Sequence, residues 1–256
     1  MSRARSDSDV PTGIRSRRVR ATAPRSPGQL ATRQGIAVGV ATAAYGVSFG
    51  ALAVAAGLDV WQACVLSLFM FTGGSQFALV GILASGGVAA GGTAIASAAL
   101  LGVRNAAYGM RMKPVVGATS WWKTAGAAWL TIDESTAVAL AQEDPAARRR
   151  GFWVTGIVVY LGWNLTTLVG ALIGDLLGDT RAYGLDAAAA AAFLGLIWPR
   201  LKSHQTIAVA CAAAVVAAAL TPVVAPGMPV LAAALVAVLV GTTNLLGRRT
   251  AREATP

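Results

Sequence analysis

Three ionisable side chains stand inside long apolar stretches of this 256-residue chain, and chemistry is most readily placed on them. Arg104 closes a run from Gln34 in which Asp59 is the only other charged residue, and Asp133 and Glu134 fall in the middle of the apolar stretch 123–141. A charge at the centre of a membrane helix costs about 2.5–3.5 kcal/mol on insertion scales, so it implies a buried partner or a function. Two readings stand open. The three groups form an ion pair of purely structural use, or Arg104 meets a substrate carboxylate while Asp133 or Glu134 takes a proton or a substrate ammonium.

A second candidate is the run Thr72-Gly73-Gly74-Ser75-Gln76-Phe77. Adjacent glycines weaken a helix, and irregular backbone at membrane depth survives only against protein or a wet cavity. Bare backbone at Gly73 and Gly74, beside Ser75 and Gln76, then offers a polar ligand site. Close packing of another helix on small residues is the competing reading. Gly46-Val47-Ser48-Phe49-Gly50 matches G-x-S-x-G, but that hydrolase motif needs a strand-to-helix turn. It lies within an apolar span, and the single histidine, His204, adjoins Lys202 at an expected helix end. Gly46 and Gly50 are better read as a packing face or pathway around Ser48 than as an intramembrane protease site. Cys64 and Cys211 lack metal-ligand spacing. No G-x-x-x-x-G-K-[ST] loop appears. Neither enzyme activity, metal nor cofactor is expected.

The elements that must hold these residues are helices in a bilayer. The chain is 55% hydrophobic and 12% charged, against about 25% charged in a soluble domain, and its mean hydropathy is +0.61. A span needs about 20 apolar residues, so several spans must follow one another. The pattern predicts spans near residues 35–56, 61–84, 92–110, 123–141, 152–174, 185–199, 204–221 and 229–246. The expected fold is an all-α integral membrane bundle of seven or eight helices. A faint repeat, Gly57-Leu58-Asp59 against Gly184-Leu185-Asp186, suggests an internal duplication.

The net charge of +10 gathers at the ends and in short loops, which is a topology signal rather than a nucleic-acid groove. Residues 1–33 read as a disordered basic cytoplasmic arm, 34–247 as the transmembrane domain and 248–256 as a basic cytoplasmic tail. Both termini are expected inside the inner (plasma) membrane. One loop disagrees in an eight-span arrangement: Arg111, Lys113 and Lys123 fall outside. Either a segment is re-entrant or the count is seven.

The order of these features resembles the AzlC family of branched-chain amino acid permeases. The matching stretches are Gly46–Gly50, Phe71–Phe77, Arg104 with Tyr108-Gly109, Thr131-Ile132-Asp133-Glu134, and the span containing Trp163 and Gly170 followed by Gly184–Asp186. The family usually has Asn-x-Arg-His around the arginine, where this chain has Gly102-Val103-Arg104-Asn105, and Asn105 cannot titrate. The resemblance implies secondary export of leucine, isoleucine, valine and methionine, driven by the proton gradient. It also implies a small AzlD-like membrane partner of about four spans. The alternatives are a permease for another small polar metabolite and a non-transporting scaffold subunit.

Overall fold

A computed structural model describes residues 26–178, 194–195, 197–198 and 201–243. Among them there are helices and turns but no strands. The first helix, α1 (Pro27–Ala55), opens on a Ser26–Gln29 capping box with proline at its first position. It therefore starts inside the stretch expected to belong to the polar arm. A glycine turn (Gly57, φ +92°) leads to α2 (Val60–Phe69), capped reciprocally by Asp59 and Gln62. Then follow α3 (Gly74–Gly86), α4 (Gly91–Val116), α5 (Trp121–Trp129), α6 (Asp133–Leu140) and α7 (Pro145–Leu177), the last capped by Asp144. Beyond residue 200 come α8 (His204–Leu220) and α9 (Met228–Thr243).

α1 and α7 form the spine, and they run parallel. Gly35 faces Thr155, Gly39 faces Val158, Gly46 faces Thr166 and the Trp163 carbonyl, and Gly174 faces Ala51. A Cβ at Gly50 would fall on the Thr167 carbonyl oxygen, and one at Gly170 on that of Val47. Small residues on both helices thus let the backbones touch, as in membrane helix pairs. The Thr166 hydroxyl crosses the contact to the Ala43 carbonyl at 2.6 Å.

Around this spine the chain doubles back twice. The start of α2 and the end of α3 share one groove, lined by Gly57, Trp61 and Gln62 on one side and Leu83, Gly87 and Val88 on the other. Ser67 of α2 meets Thr167 of α7, and Phe71 packs lower down on Tyr160. The chain therefore descends along α7 to residues 70–73 and climbs again as α3. The second hairpin enters from the opposite end. The end of α4 meets Arg149 near the start of α7, through Gly117, and Lys113 and Val116 border Thr124 of α5. Leu130 then reaches Gly156, whereas Val138 lies back at Gly151. α5 climbs to residues 130–132, and α6 returns to the end from which α5 came.

The stretches 61–84 and 123–141, expected as straight spans, are therefore two re-entrant hairpins. The first break is made by Gly73 at φ +60°, ψ −86°, a conformation that a side chain disfavours. The second is held by Ser135, whose hydroxyl accepts from the Ile132 N–H at 3.1 Å and lies 2.7 Å from the Leu130 carbonyl. Among the described residues, α1 and α7 are the two helices both long and apolar enough to cross a membrane. α4 has 26 residues but carries Arg104, Arg111 and Lys113. α8 and α9 have 17 and 16 residues, short of the usual ~20. They form a hairpin whose turn meets the outer ends of α3 and α4 through Pro226 and Gly227. Most of the expected span 185–199, and Gly184–Asp186 of the suggested repeat, lie outside the described residues.

Re-entry also explains the discordant loop. Arg111, Lys113 and Lys123 share an end of the bundle with Arg149. Arg150 lies there too, beside Gly28 at the start of α1. The order of elements carries a duplication different from the one read in the sequence. α1 followed by α2–α3 is repeated, upside down, as α4 followed by α5–α6.

Candidate functional site

The two hairpin tips meet in a cavity of about 110 Å³. Thr72, Gly73 and Gly74 come from the first tip, and Ile132, Asp133 and Glu134 from the second. The remaining wall comes from the middles of the three long helices: Thr42 and Tyr45 of α1, Arg104 of α4, and Val159 and Trp163 of α7. The cavity therefore lies at mid-height of the bundle. Its size suits a small solute; drug-sized ligands occupy ~300–1,000 Å³.

Arg104 and Asp133 form an ion pair, Nη1 to Oδ2 at 3.1 Å, with side chains 27% and 18% exposed. The pair is shielded but not sealed, so a solute in the cavity can reach both charges. Two helix starts also converge here. The first N–H groups of a helix have no partner within it and carry partial positive charge. At α3 no side chain caps them. At α6 the first two residues are Asp133 and Glu134, which complement that charge. Donors are left over around the cavity: Thr72 Oγ1, Arg104 Nε and Trp163 Nε1 are buried without a hydrogen-bond partner among the described residues. The apolar part of the wall is aromatic, with Phe71 against Tyr160 (5.0 Å between ring centres) and Phe77 against Trp163 (6.1 Å).

The structure brings Gly73, Gly74, Arg104, Asp133 and Glu134 to one wall, and it sets the other candidates apart. Ser75 and Gln76, 1% and 0% exposed, lie behind the tip. Ser75 faces Gly102 of α4, and the Gln76 amide donates to the Leu66 carbonyl at 3.4 Å, tying the two arms of the hairpin together. Neither lines the cavity. Gly46 and Gly50 belong to the α1–α7 contact, with Ser48 half-buried between them. Asn105 adjoins Arg104 without lining the cavity, and its Oδ1 is buried with no hydrogen-bond partner among the described residues.

Sequence reasoning passed over Thr42, Tyr45, Val159 and Trp163 as site residues. The first three are ordinary helix residues and carried no signal. Trp163 could have been flagged as an indole near the centre of a long apolar span.

Comparison with known proteins agrees with this frame. A family model described as AzlC protein matches residues 37–177, more than half of the chain. The match covers both hairpins and every residue of the cavity wall. No curated protein and no solved structure matches.

Proposed function

Because the chain belongs to the AzlC family, which is associated with branched-chain amino acid transport, we propose that it is the transport subunit of a proton-driven exporter of leucine, isoleucine, valine and methionine. The observation that carries this reading is the Arg104–Asp133 pair at the meeting point of two opposed hairpin tips. An amino acid zwitterion has one carboxylate, one ammonium and, in these substrates, an apolar side chain. Arg104 offers a carboxylate a planar fork of donors that lysine cannot reproduce. The uncapped start of α3 adds backbone N–H groups beside it, the arrangement by which discontinuous helices hold anionic substrates in other transporters. Asp133 and Glu134 take the ammonium, and Phe71, Phe77 and Val159 receive the side chain. An apolar wall discriminates weakly, since one methylene is worth about 1–3 kcal/mol. The expected specificity is therefore broad among medium apolar amino acids and poor for charged ones.

The inverted arrangement supplies a mechanism. One hairpin separates the cavity from each end of the bundle. Displacement of α2–α3 opens one route and displacement of α5–α6 the other, so alternate movement carries the solute across. Protonation of Asp133 or Glu134 releases the ammonium and couples transport to the proton gradient, a role Asn105 cannot fill. Clustering of Arg111, Lys113, Lys123, Arg149 and Arg150 at one end supports a cytoplasmic assignment for that end, with the chain in the plasma membrane. A small AzlD-like membrane protein of about four spans completes the transporter.

The test is efflux from cells loaded with valine- or methionine-containing dipeptides. Arg104→Lys should lower efflux at least tenfold with the protein still present in the membrane. Efflux at the unmodified rate would leave Arg104 as a structural charge.

A further inference from the structure

We infer that Trp163 is a substrate-binding residue whose indole N–H donates to the carboxylate of the transported amino acid; this rests on the proposed function above. Trp163 is 3% exposed and lines the cavity at the middle of α7. Its ring is fixed by neighbours on two sides. Phe49 stacks on it at 6.1 Å and 26°, and Phe77 meets it edge to face at 6.1 Å and 88°. An indole nitrogen is a donor only, and when buried it normally finds an acceptor. Here Nε1 is closed off even from the cavity and has no acceptor among the described residues, so a carboxylate reaches it when a neighbouring side chain moves aside. A donor held without a partner in a well-packed aromatic cluster costs stability, and that cost is removed when a ligand supplies the acceptor.

The chemistry of the donor selects which end of the substrate it meets. The ammonium has protons and no lone pair, so the N–H cannot hold it. The apolar side chain has no acceptor either. The carboxylate has two oxygens, and Arg104, with Nε also unpartnered, lines the same cavity to engage one while Trp163 engages the other. The cavity thus reads the carboxylate from two elements, α4 and α7. The indole N–H then adds a requirement for an acceptor oxygen at the carboxylate end of the solute.

The experiment is equilibrium binding of radiolabelled valine to the full chain co-expressed and purified in detergent with the proposed small membrane partner, with isobutylamine, which lacks the carboxylate, as competitor. Two proteins are compared with the unmodified one. The first is Trp163→Phe. The second carries β-(3-benzothienyl)alanine at position 163, which keeps the shape of tryptophan and replaces the N–H with sulfur, so that folding is preserved if phenylalanine leaves a void. Loss of a hydrogen bond to a charged group corresponds to about tenfold to a hundredfold in affinity. Valine should weaken by that factor in both proteins, while competition by isobutylamine, which has no acceptor for the indole N–H, stays as in the unmodified protein. Valine bound by the benzothienyl protein with unmodified affinity would overturn the assignment. So would equal losses for valine and isobutylamine, which would make the ring a packing element. If the unmodified chain, purified with its partner, binds no valine, the proposed function itself fails, and this donor with it.

Discussion

Ser135 shows how little the local sequence needs to redirect a helix at membrane depth. Its hydroxyl serves both sides of the break before α6, accepting from the Ile132 N–H and lying within hydrogen-bond reach of the Leu130 carbonyl. Thr131 helps from the other side by bonding the Ala127 carbonyl at 2.7 Å. Ser135→Ala removes these contacts, and one to the Ile132 carbonyl at 3.2 Å, in a fully buried site. Unsatisfied buried backbone groups cost about 1–3 kcal/mol each. The variant should therefore lose several degrees of apparent Tm in detergent, and an unchanged Tm would show that the break is held by packing alone. The break was legible in part. Acidic residues in a first helical turn are a start signal, and Asp133-Glu134 is one, but inside an apolar stretch the two read more naturally as intramembrane charges. Ser75 and Gln76, also read as substrate-binding from the sequence, are placed off the cavity lining. Adjacent helix positions face different ways, so a motif whose glycines reach the cavity turns its next two residues into the packing behind it.

At the scale of elements, hydropathy can say that a segment is apolar but not whether it crosses. The stretch 61–84 is long enough to span, and a break over residues 70–73 that ends on Gly73 at positive φ turns it back. The balance of basic loops carried the missing information, because Arg111, Lys113 and Lys123 fit one side only if a segment re-enters. The hairpins make a sharp prediction for labelling. Trp61 and Val88, 77% and 94% exposed, flank the mouth of the first hairpin. With Cys64 and Cys211 replaced, single cysteines at 61 and 88 should react with an impermeant thiol reagent from the same side of the membrane. A cysteine at Ser120, before α5, should react from the opposite side. Labelling of positions 61 and 88 from opposite sides would restore a straight span and dismantle the cavity.

At the scale of the whole molecule, three long helices and two opposed hairpin tips line a mid-height cavity among the described residues. The all-α character and the three central charges were visible in composition and spacing. The inverted repeat was not, since α1 and α4 share architecture rather than residues, and Gly184–Asp186 of the repeat read from the sequence lies outside the described residues. Everything in the proposed function depends on the cavity recognising both charged ends of an amino acid at once. The most direct test is competition against radiolabelled valine on the purified chain by unlabelled valine, valinamide and isovalerate, which respectively keep both charges, lose the carboxylate and lose the ammonium. Unlabelled valine should compete at least tenfold more strongly than either analogue, the loss expected when a charge-assisted contact is removed. Competition by valinamide or isovalerate at the strength of valine would contradict a site built from Arg104 on one side and Asp133 and Glu134 on the other.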